Sequence, residues 1–296
     1  MMMGTRLGLA MLWLLHFLPL AALEALARLM GAIAVETRFA RTTLINLHAC
    51  FPERSAAERK RLARQHLAAL IRSVLELGIL WWSPRARIEQ LVRLKNLECT
   101  ETHGRPIIFL TPHLVGLEMQ GARMGMAFRG VGFFTPYKNL LVDRQVRAAR
   151  DRLGDVVMLE RKKGLRPLIR AIRDGRNLYF LPDMDFGDRD SIFAPFFGIP
   201  AATVTTLPWL AQMTGAVVVP CVCHQLPHCQ GYEVEFFPAW TDFPSGDVNA
   251  DVQRMNAFIE AQARRYPEQY FWSHKRFRTR PDAAEPYFYR WPQSLD

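Results

Sequence analysis

The chain has 296 residues, half of them hydrophobic and 22% charged, which allows one large folded domain and argues against a disordered protein. Its formal net charge of +10 indicates an acidic partner and leaves nucleic acid, anionic lipid and an acidic carrier protein as candidates. Five cysteines at irregular spacings argue against a disulfide framework and favour a reducing compartment.

The N-terminal segment is apolar. Residues 7–23 carry no charge, Pro19 interrupts them, and the apolar pattern continues to Val35. This length is compatible with a transmembrane anchor, an interfacial or re-entrant helix, or a cleaved signal peptide. We favour a retained membrane-attached helix within residues 1–35, followed by one domain at 36–296. Basic residues within and after the segment then place the rest of the chain in the cytoplasm by the positive-inside tendency; they are Arg28, Arg38 and Arg41.

A long amphipathic helix is predicted next. Ser55 and Glu58 have the spacing of a capping box at its start, and its apolar positions continue to Trp81 and Trp82. The two tryptophans are compatible with ordinary helix packing and with an anchor at a membrane interface.

Strands and helices alternate after residue 95. Short apolar runs predict strands at 107–110, 131–134, 156–159, 178–181, 216–223 and 232–237. Helical patterns occur at 115–127, 143–153, 166–174, 203–214 and 249–266. The alternation predicts an α/β fold with a mainly parallel sheet flanked by helices. The chain has neither a GxxxxGK[ST] nor a GxGxxG motif, so the sequence offers no signal for nucleotide chemistry.

One cluster of cysteines and histidines has the composition of a metal site: Cys221, Cys223, His224, His228 and Cys229. It follows the apolar run of a predicted strand, where Cys221 and Cys223 share one face. The paired spacing of structural zinc sites is absent from it. We therefore interpret these cysteines as core residues and expect no metal.

The strand at 107–110 ends at a proline and is followed by His113, with Glu118 in the first turn of the next predicted helix. The carboxyl end of a strand is where ligands collect in α/β sheets, and a histidine held by an acid can deprotonate a hydroxyl. The spacing alone is not specific, because His48/Glu53 and His228/Glu233 share it. Among the three pairs, His113/Glu118 is the one at a predicted strand-to-helix junction.

A second strand end carries two carboxylates, Asp183 and Asp185, after the run at 178–181. These acids could orient a base, cap the turn, or bind a metal together with His113, as in a metal-dependent hydrolase. The sequence leaves these alternatives open.

Basic residues are concentrated in three places, a predicted helix, the loop that follows it, and an aromatic tail at 270–281. They include Arg144, Arg147, Arg150, Lys163, Arg166, Lys275, Arg276 and Arg278, with His274 beside them. Such charges usually form a solvated face, but they also suit phosphate-bearing lipid or nucleic acid. A non-enzymatic protein that binds anionic lipid or nucleic acid is therefore an alternative, although no nucleic-acid-binding motif is present.

Taken together, the ordered motifs resemble the bacterial lipid A biosynthesis late acyltransferases, the lauroyl/myristoyl acyltransferase family within the wider glycerolipid acyltransferase group. The resemblance rests on an N-terminal apolar segment followed by Thr111–Glu118, Tyr137–Asn139 with Asp143 and Arg150, Lys163–Arg166, Leu181–Gly187, Phe196–Thr203 and Trp272–Pro281. It implies a glycerolipid acyltransferase-like αβα domain at residues 36–296.

The resemblance also implies an activity. A fatty acyl chain would pass from acyl-acyl carrier protein to a hydroxyl of a 3-hydroxyacyl group on a Kdo-bearing lipid A precursor. The reaction would take place at the cytoplasmic face of the bacterial inner membrane, without metal or nucleotide cofactor and without nucleic acid. Acylation of a glycerophosphate or another hydroxylated lipid by the same motif is the alternative within enzymes. Acyl-chain length would be set by a side chain at the bottom of an apolar pocket.

By resemblance, His113 is the general base, Glu118 its orienting partner, and Arg150 and Asp183 complete the catalytic group. The family usually has arginine where this chain has Lys138, so Arg144 and Arg147 remain alternatives to Arg150. Substrate binding is assigned to the polar residues of the neighbouring motifs, which are Lys138, Arg144, Arg147, Lys163, Arg166, Asp185, His274, Lys275, Arg276 and Arg278.

Overall fold

A mostly parallel β-sheet forms the centre of the protein, in agreement with the alternating pattern. The computed structural model describes residues 2–160, 164–282 and 284–290. Its strands are β1 (Val92–Lys95), β2 (Ile107–Leu110), β3 (Gly130–Phe134), β4 (Val156–Glu160), β5 (Asn177–Phe180), β6 (Ser191–Phe196), β7 (Ile199–Val204), β8 (Val217–Gln225) and β9 (Tyr232–Phe236). Within the described residues, seven strands pair in the order β1-β9-β8-β2-β5-β3-β4, and β8–β9 is the antiparallel pair.

Helices lie on both faces of this sheet. They are α1 (Met2–Leu15), α2 (Leu20–Ala34), α3 (Arg41–Cys50), α4 (Ala56–Leu75), α5 (Leu77–Trp82), α6 (Arg85–Leu91), α7 (Leu117–Ala127), α8 (Leu140–Leu153), α9 (Arg166–Arg173), α10 (Thr206–Thr214) and α11 (Val248–Arg265). Side chains of β2 alternate between two apolar layers, since Ile108 and Leu110 pack with α9–α11 whereas Ile107 and Phe109 pack with α7 and α8. The predicted α/β class is therefore confirmed, with every predicted strand present to within a few residues.

Two strand features escaped the sequence patterns. Strand β1 is a four-residue edge strand that pairs with β9. Strands β6 and β7 form a separate antiparallel ribbon in which Pro195 lies opposite Pro200. Proline cannot donate to a ladder, so it argues against a central strand, but a two-stranded ribbon has outer edges that tolerate it. The ribbon turns at Phe197 and Gly198, both at positive φ.

The apolar N-terminal segment folds as two helices rather than one, because Pro19 stands at the N-cap of α2. Helix α2 crosses α4 closely enough that a Cβ on Gly31 would lie 2.8 Å from the backbone N of Ala68. Leu23 and Ala27 are buried at the same interface. Among the described residues there is no helix with both the length and the apolar character needed to cross a membrane.

The predicted helix after Ser55 begins with the predicted capping box, in which Ser55 and Glu58 each accept a backbone N–H bond from the other. It ends at Leu75, and a separate short helix carries Trp81 and Trp82. Trp81 is only 8% exposed and belongs to the apolar layer shared with α7 and α8. For Trp81 the packing interpretation is therefore correct.

The cysteines are free thiols. Cys221 and Cys223 are buried, as the core interpretation predicted, and so is Cys50, whereas Cys229 is only partly buried and donates to Glu24 at 2.7 Å. Burial raises the pKa of the Cys221 thiol to about 12 despite its contacts with Thr111 and Gln120. Among the described residues, no group of three or more His, Cys, Asp or Glu side chains is arranged to hold a metal ion.

Helix α4 is joined to the C-terminal segment by the buried His66. Its Nδ1 lies 3.2 Å from the Glu268 carbonyl oxygen, which can only accept, so Nδ1 carries the proton and Nε2 accepts from the Ser273 hydroxyl at 3.2 Å. Burial lowers the pKa of His66 to about 4, with the bond to the Glu268 carbonyl opposing the shift. His66 is therefore neutral in the folded protein near neutral pH.

We expect this histidine to make the protein sensitive to acid. The unfolded chain binds a proton at His66 below pH 6.5, whereas the folded protein does so only near pH 4, so stability is lost as pH falls between these values. The free energy of unfolding should fall by roughly 3 kcal/mol from this group over that interval. Urea unfolding at several pH values should show a shallower decline in His66→Gln than in the wild type. His48→Gln, at an exposed histidine, should keep the wild-type slope.

Candidate active site

His113 lies at the carboxyl edge of the sheet, three residues after β2 ends. The neighbouring parallel strand β5 ends at the same edge and is followed by Asp183. Thr111 N donates to the Phe180 carbonyl at 3.0 Å, which extends the pairing of the two strands beyond their ends. Because β2 and β5 are hydrogen-bonded neighbours, the two predicted catalytic residues meet.

His113 and Asp183 form a close pair. The carboxylate of Asp183 accepts from His113 Nδ1 at 2.6 Å and from the His113 backbone N–H at 2.9 Å. Asp183 is 2% exposed, and its burial alone would raise its pKa; the His113 charge and hydrogen bonds, with a smaller contribution from Arg276, lower the pKa overall. An ionised carboxylate only accepts, so it holds the proton on Nδ1 and leaves Nε2 able to accept another.

The structure changes the partner predicted for His113. Within the described residues there is no hydrogen bond between His113 and Glu118. Glu118 lies in the first turn of α7, is 45% exposed at its side chain, and has its Oε2 3.6 Å from Arg150 Nη2 on α8. The orienting contact assigned to Glu118 is instead made by Asp183, because the turn between β2 and α7 directs the Glu118 side chain toward α8.

The three arginines of α8 that were considered for the site differ in their contacts and exposure. Arg150 is 31% exposed, pairs with Glu118, and places its guanidinium 5.8 Å from the Phe134 ring centre. Arg147 donates to Asp143 at 2.7 Å and lies over the same ring, and Arg144 is exposed. Of the three arginines, Arg150 is the one in contact with Glu118, and its catalytic role stays a prediction.

Several residues predicted to bind substrate have internal contacts instead. Asp185 is 6% exposed and accepts from Thr279 N at 2.7 Å, Thr279 Oγ1 at 2.8 Å and Gly187 N at 2.9 Å. Arg276 is 3% exposed and donates to the Ala202 carbonyl and to Thr203 Oγ1. Both side chains stabilise loops beneath the site, because the C-terminal segment around residues 270–281 packs into the protein interior.

His274 belongs to the same internal network. Its Nε2 accepts from the Asp185 backbone N–H at 2.9 Å, and burial lowers the pKa of His274 to about 4, with its charged neighbours acting in both directions. The neutral ring therefore supports the turn that carries Asp183.

The other predicted substrate-binding residues lie at the surface or outside the described residues. Arg278 has its Nη2 3.5 Å from Asp185 Oδ1 and is half exposed, while Lys275 donates to the Tyr287 hydroxyl at 2.8 Å. Lys138 and Arg166 are exposed, and Lys163 lies outside the described residues. A role for these residues in substrate binding stays a prediction.

The loop carrying His113 is held by residues that the patterns did not identify as part of the site. Phe271 N donates to the His113 carbonyl at 2.9 Å, and Val115 N donates to the Gln269 carbonyl at 3.0 Å. Substrate-binding residues were predicted in the neighbouring tail, but no role was assigned to Gln269 or Phe271. The bridge depends on a contact between residues about 150 positions apart, which composition does not reveal.

Two apolar cavities share part of their lining near His113. The first, of about 250 Å³, lies between α7, α8 and strands β3–β4, and its lining includes Gly121, Met124, Gly132, Leu153 and Met158. The second, of about 280 Å³, lies against α4 and α5, and its lining includes Leu70, Val74, Leu77, His113 and Phe271. Glu118 and Leu117 line both cavities, and Arg150 lines the first. We name them the α7–α8 cavity and the α4 cavity.

The arrangement can support one kind of chemistry. His113 Nε2 can take a proton from a hydroxyl, Asp183 can stabilise the resulting imidazolium, and Arg150 can face developing negative charge. The cavities on either side can hold two apolar chains. This combination suits group transfer between two lipid-like molecules.

Comparisons with known proteins agree with the geometry. The family model described as bacterial lipid A biosynthesis acyltransferase matches residues 1–279. The lipid A biosynthesis lauroyltransferase of Escherichia coli K12 is 32% identical over 286 residues, covering 95% of this chain and 93% of that protein. The palmitoleoyltransferase and the myristoyltransferase of lipid A biosynthesis from the same organism are each 30% identical, covering 94% and 90% of this chain and 92% and 83% of their own lengths.

A solved structure, the 1-acyl-sn-glycerophosphate acyltransferase PlsC from Thermotoga maritima, aligns with a TM-score of 0.37 and 14% identity, covering 82% of this chain and 94% of that one. The family match extends over nearly the whole sequence, from the N-terminal helices to the tail that supports Asp183. This chain is therefore an acyltransferase and belongs to the bacterial lipid A biosynthesis acyltransferase family.

Proposed function

We propose that this enzyme transfers a fatty acyl chain from acyl-acyl carrier protein to a hydroxyl of a 3-hydroxyacyl group on a Kdo-bearing lipid A precursor. The observation that supports it most is the His113–Asp183 pair, whose histidine lines the α4 cavity, with Leu117 and Glu118 in the walls of both apolar cavities. One cavity would hold the acyl chain of the donor and the other a chain of the acceptor. Relatives named as lauroyl-, palmitoleoyl- and myristoyltransferases of lipid A biosynthesis are consistent with this use.

In the proposed mechanism, neutral His113 accepts the proton of the acceptor hydroxyl at Nε2 while that oxygen attacks the thioester carbonyl. The carbon–oxygen bond of the new ester forms, and the tetrahedral intermediate then expels the thiolate of the carrier. The imidazolium returns its proton to that thiolate, so His113 ends neutral and no acyl-enzyme is required. Asp183 fixes the tautomer and stabilises the imidazolium.

Arg150 would stabilise the oxyanion that forms on the thioester carbonyl oxygen. Its guanidinium is part of the α7–α8 cavity wall, next to Glu118, which lines both cavities. Glu118 would then act through Arg150, holding it by the 3.6 Å ion pair rather than contacting the base. The net charge of +10 suits an acidic carrier and a phosphorylated lipid.

The direct test supplies purified full-length enzyme with acyl-acyl carrier protein and a Kdo-bearing lipid A precursor, and follows the product by mass spectrometry. The expected product is heavier by one acyl chain attached through a secondary ester. Lipid A from a deletion strain should lack one secondary chain, and the complemented strain should regain it. Efficient acylation of a glycerophosphate without acylation of the lipid A precursor would contradict the proposed acceptor.

We also propose that residues 1–35 attach the enzyme to the cytoplasmic face of the bacterial inner membrane. One face of α1 exposes large apolar side chains at helical spacing, and further ones follow on α2; they are Met3, Leu7, Met11, Leu14, Leu29 and Ile33. The opposite face of α1 packs against α5, where Leu12 lies against Gly78. Helices that pack on the protein by one face and expose apolar side chains on the other can lie in a membrane interface.

Replacing two of these side chains should weaken membrane attachment. Leu7 and Leu14 are 66% and 61% exposed, so Leu7→Gln/Leu14→Gln removes apolar contact with lipid without opening the core. Affinity for vesicles of bacterial lipid should fall about tenfold or more in a flotation assay. Leu97→Gln, at a 45% exposed leucine after β1, is the matched control. Equal flotation of the double variant and the control would contradict the assignment.

A further inference from the structure

A polar cleft lies on the other side of α4 from His113. It has a volume of about 770 Å³ and runs between α2, α4, the end of β8 and the segment after α11. Its polar lining includes Arg28, Arg61, Arg64, Arg72, His224 and Gln269. We name it the arginine cleft. Within the part of the chain that the structure describes, it shares no lining residue with either apolar cavity.

Positive charge in the cleft exceeds negative charge. Among the described residues, four arginines line it against two carboxylates, and the buried Glu76 behind the cleft pairs with Arg72 at 2.7 Å. One of these carboxylates, Glu24, already accepts from Arg28, from Arg72 at 3.3 Å and from the Cys229 thiol at 2.7 Å. Arg61 and Arg64 are exposed and form no ion pair with any residue of the described ranges. Their charge remains available to a ligand.

Two buried polar atoms of the cleft lack a hydrogen-bond partner in the described part of the chain. One is Nη2 of Arg72, whose residue is 5% exposed; the other is Nδ1 of His224, whose residue is 7% exposed. The His224 ring is fixed by stacking on Tyr266 at 4.3 Å and 15°. Buried polar groups are normally paired, and an unpaired guanidinium nitrogen is costly. Both side chains line the cleft, where an anion could accept from them.

We propose that the arginine cleft binds a phosphate group carried by a lipid. Arginine donors in a fork suit the oxygens of a phosphate, and His224 can donate to the same group. Arg28 stands on α2 immediately before Leu29, which is 61% exposed on the apolar surface assigned to the membrane. A cationic cleft beside an apolar surface favours a lipid headgroup over a free anion in solution.

The cleft is linked to the catalytic loop by one short segment. Gln269 lines the cleft, and its carbonyl accepts from Val115 N at 3.0 Å. Two residues later, Phe271 N donates to the His113 carbonyl. This inference rests on the proposed function where it takes the lipid acceptor as a ligand of the cleft. A headgroup bound there would lie one helix away from the cavity that contains His113.

Binding can be measured without turnover. We would titrate the full-length enzyme in detergent with short-chain phosphatidic acid, with the matching uncharged diacylglycerol, and with inorganic phosphate. The cleft variant, Arg61→Gln/Arg64→Gln, changes only exposed side chains. The control variant, Arg93→Gln/Arg170→Gln, removes the same number of positive charges at exposed positions outside the cleft. Phosphatidic acid should bind the cleft variant about tenfold or more weakly than the control variant. Its addition should also shift the imidazole resonances of His224.

The outcomes distinguish a site for lipid phosphate from the alternatives. Equal affinity of the two variants for phosphatidic acid, or equal affinity of the wild type for diacylglycerol, would overturn the proposal. Inorganic phosphate binding as tightly as phosphatidic acid would overturn its restriction to lipid. A raised KM for the lipid A precursor with unchanged kcat assigns the site to the acceptor, whereas an unchanged KM assigns it to membrane lipid. Retained phosphatidic acid binding without any acyl transfer would contradict the proposed function while supporting the site.

Discussion

Replacement of His113 by alanine is expected to lower acyl transfer by about 10²–10⁴-fold, because the acceptor hydroxyl then loses its base. The loss should appear in kcat at saturating acceptor, since His113 acts on the reacting oxygen rather than on lipid binding. The measurement is the initial rate of product formation from acyl-acyl carrier protein. His48→Ala, at an exposed histidine of α3, should retain the wild-type rate.

The alanine variant also removes the partner of a buried carboxylate. Asp183 would keep the bond from the backbone N–H of residue 113 but lose the imidazole. Removing one partner of a buried pair typically costs about 3–5 kcal/mol of stability, and the retained bond places this variant toward the lower end. The double variant His113→Ala/Asp183→Asn removes that charge and should fold better while remaining inactive. Wild-type rates in a folded His113→Ala enzyme would refute the assignment of the base.

The roles of Asp183 and Glu118 can be separated by pH. Asp183→Asn places an amide at Nδ1 and removes the negative charge that favours the imidazolium, so the limb of the pH–rate profile due to the base should move to lower pH. Glu118→Gln acts on Arg150 and should lower the rate without moving that limb. If Glu118→Gln moved that limb and Asp183→Asn did not, Glu118 would be the residue that orients His113.

The strand ends were predictable and their meeting was not. Each of the runs at 107–110 and 178–181 is apolar, short and followed by a proline, which is sufficient to place His113 and Asp183 at the ends of strands. Their contact depends on β5 lying next to β2 although β3 and β4 separate the two in the chain. Strand order is a property of the whole sheet, so no local pattern contains it.

The spacing of His113 and Glu118 predicted a pair of contacting side chains, and the structure places Asp183 against His113 instead. The family resemblance assigns both to the site, and both line the α4 cavity. The direction of the Glu118 side chain depends on where α7 begins. Helix boundaries are the least predictable part of a sequence interpretation, and here the predicted start was two residues early.

Charge runs were the least informative signal. Arg276 and Lys275 are adjacent, yet Arg276 is buried against a carbonyl and a threonine hydroxyl whereas Lys275 is exposed. Phe277 beside them is fully buried. The C-terminal segment packs beneath the turn that carries Asp183. Which of its side chains are buried therefore depends on the folded sheet and not on the local sequence.

Replacement of Gly132 by valine is expected to shorten the acyl chain that the enzyme accepts. Gly132 is the third residue of β3 and lines the α7–α8 cavity opposite Met158. A Cβ there would meet Met158 Cε at 3.8 Å and Sδ at 3.9 Å, which are ordinary contacts. The backbone tolerates the change because Gly132 does not have a positive φ and valine suits a strand. The added methyl groups would occupy space now open to a chain.

The effect should be selective for chain length rather than general. Each methylene that loses its place in the cavity costs about 0.8 kcal/mol, or roughly fourfold in kcat/KM, so a donor two carbons too long should lose about tenfold or more. Shorter donors should keep most of their rate, since His113, Asp183 and Arg150 are unchanged.

Competition between acyl-acyl carrier proteins of different lengths, read by mass spectrometry of the product, measures the shift. Ala148→Val adds bulk to the exposed side of α8 and should leave the product unchanged. If Gly132→Val lowers the rate equally for all chain lengths, the donor chain does not lie in this cavity and the α4 cavity becomes its site.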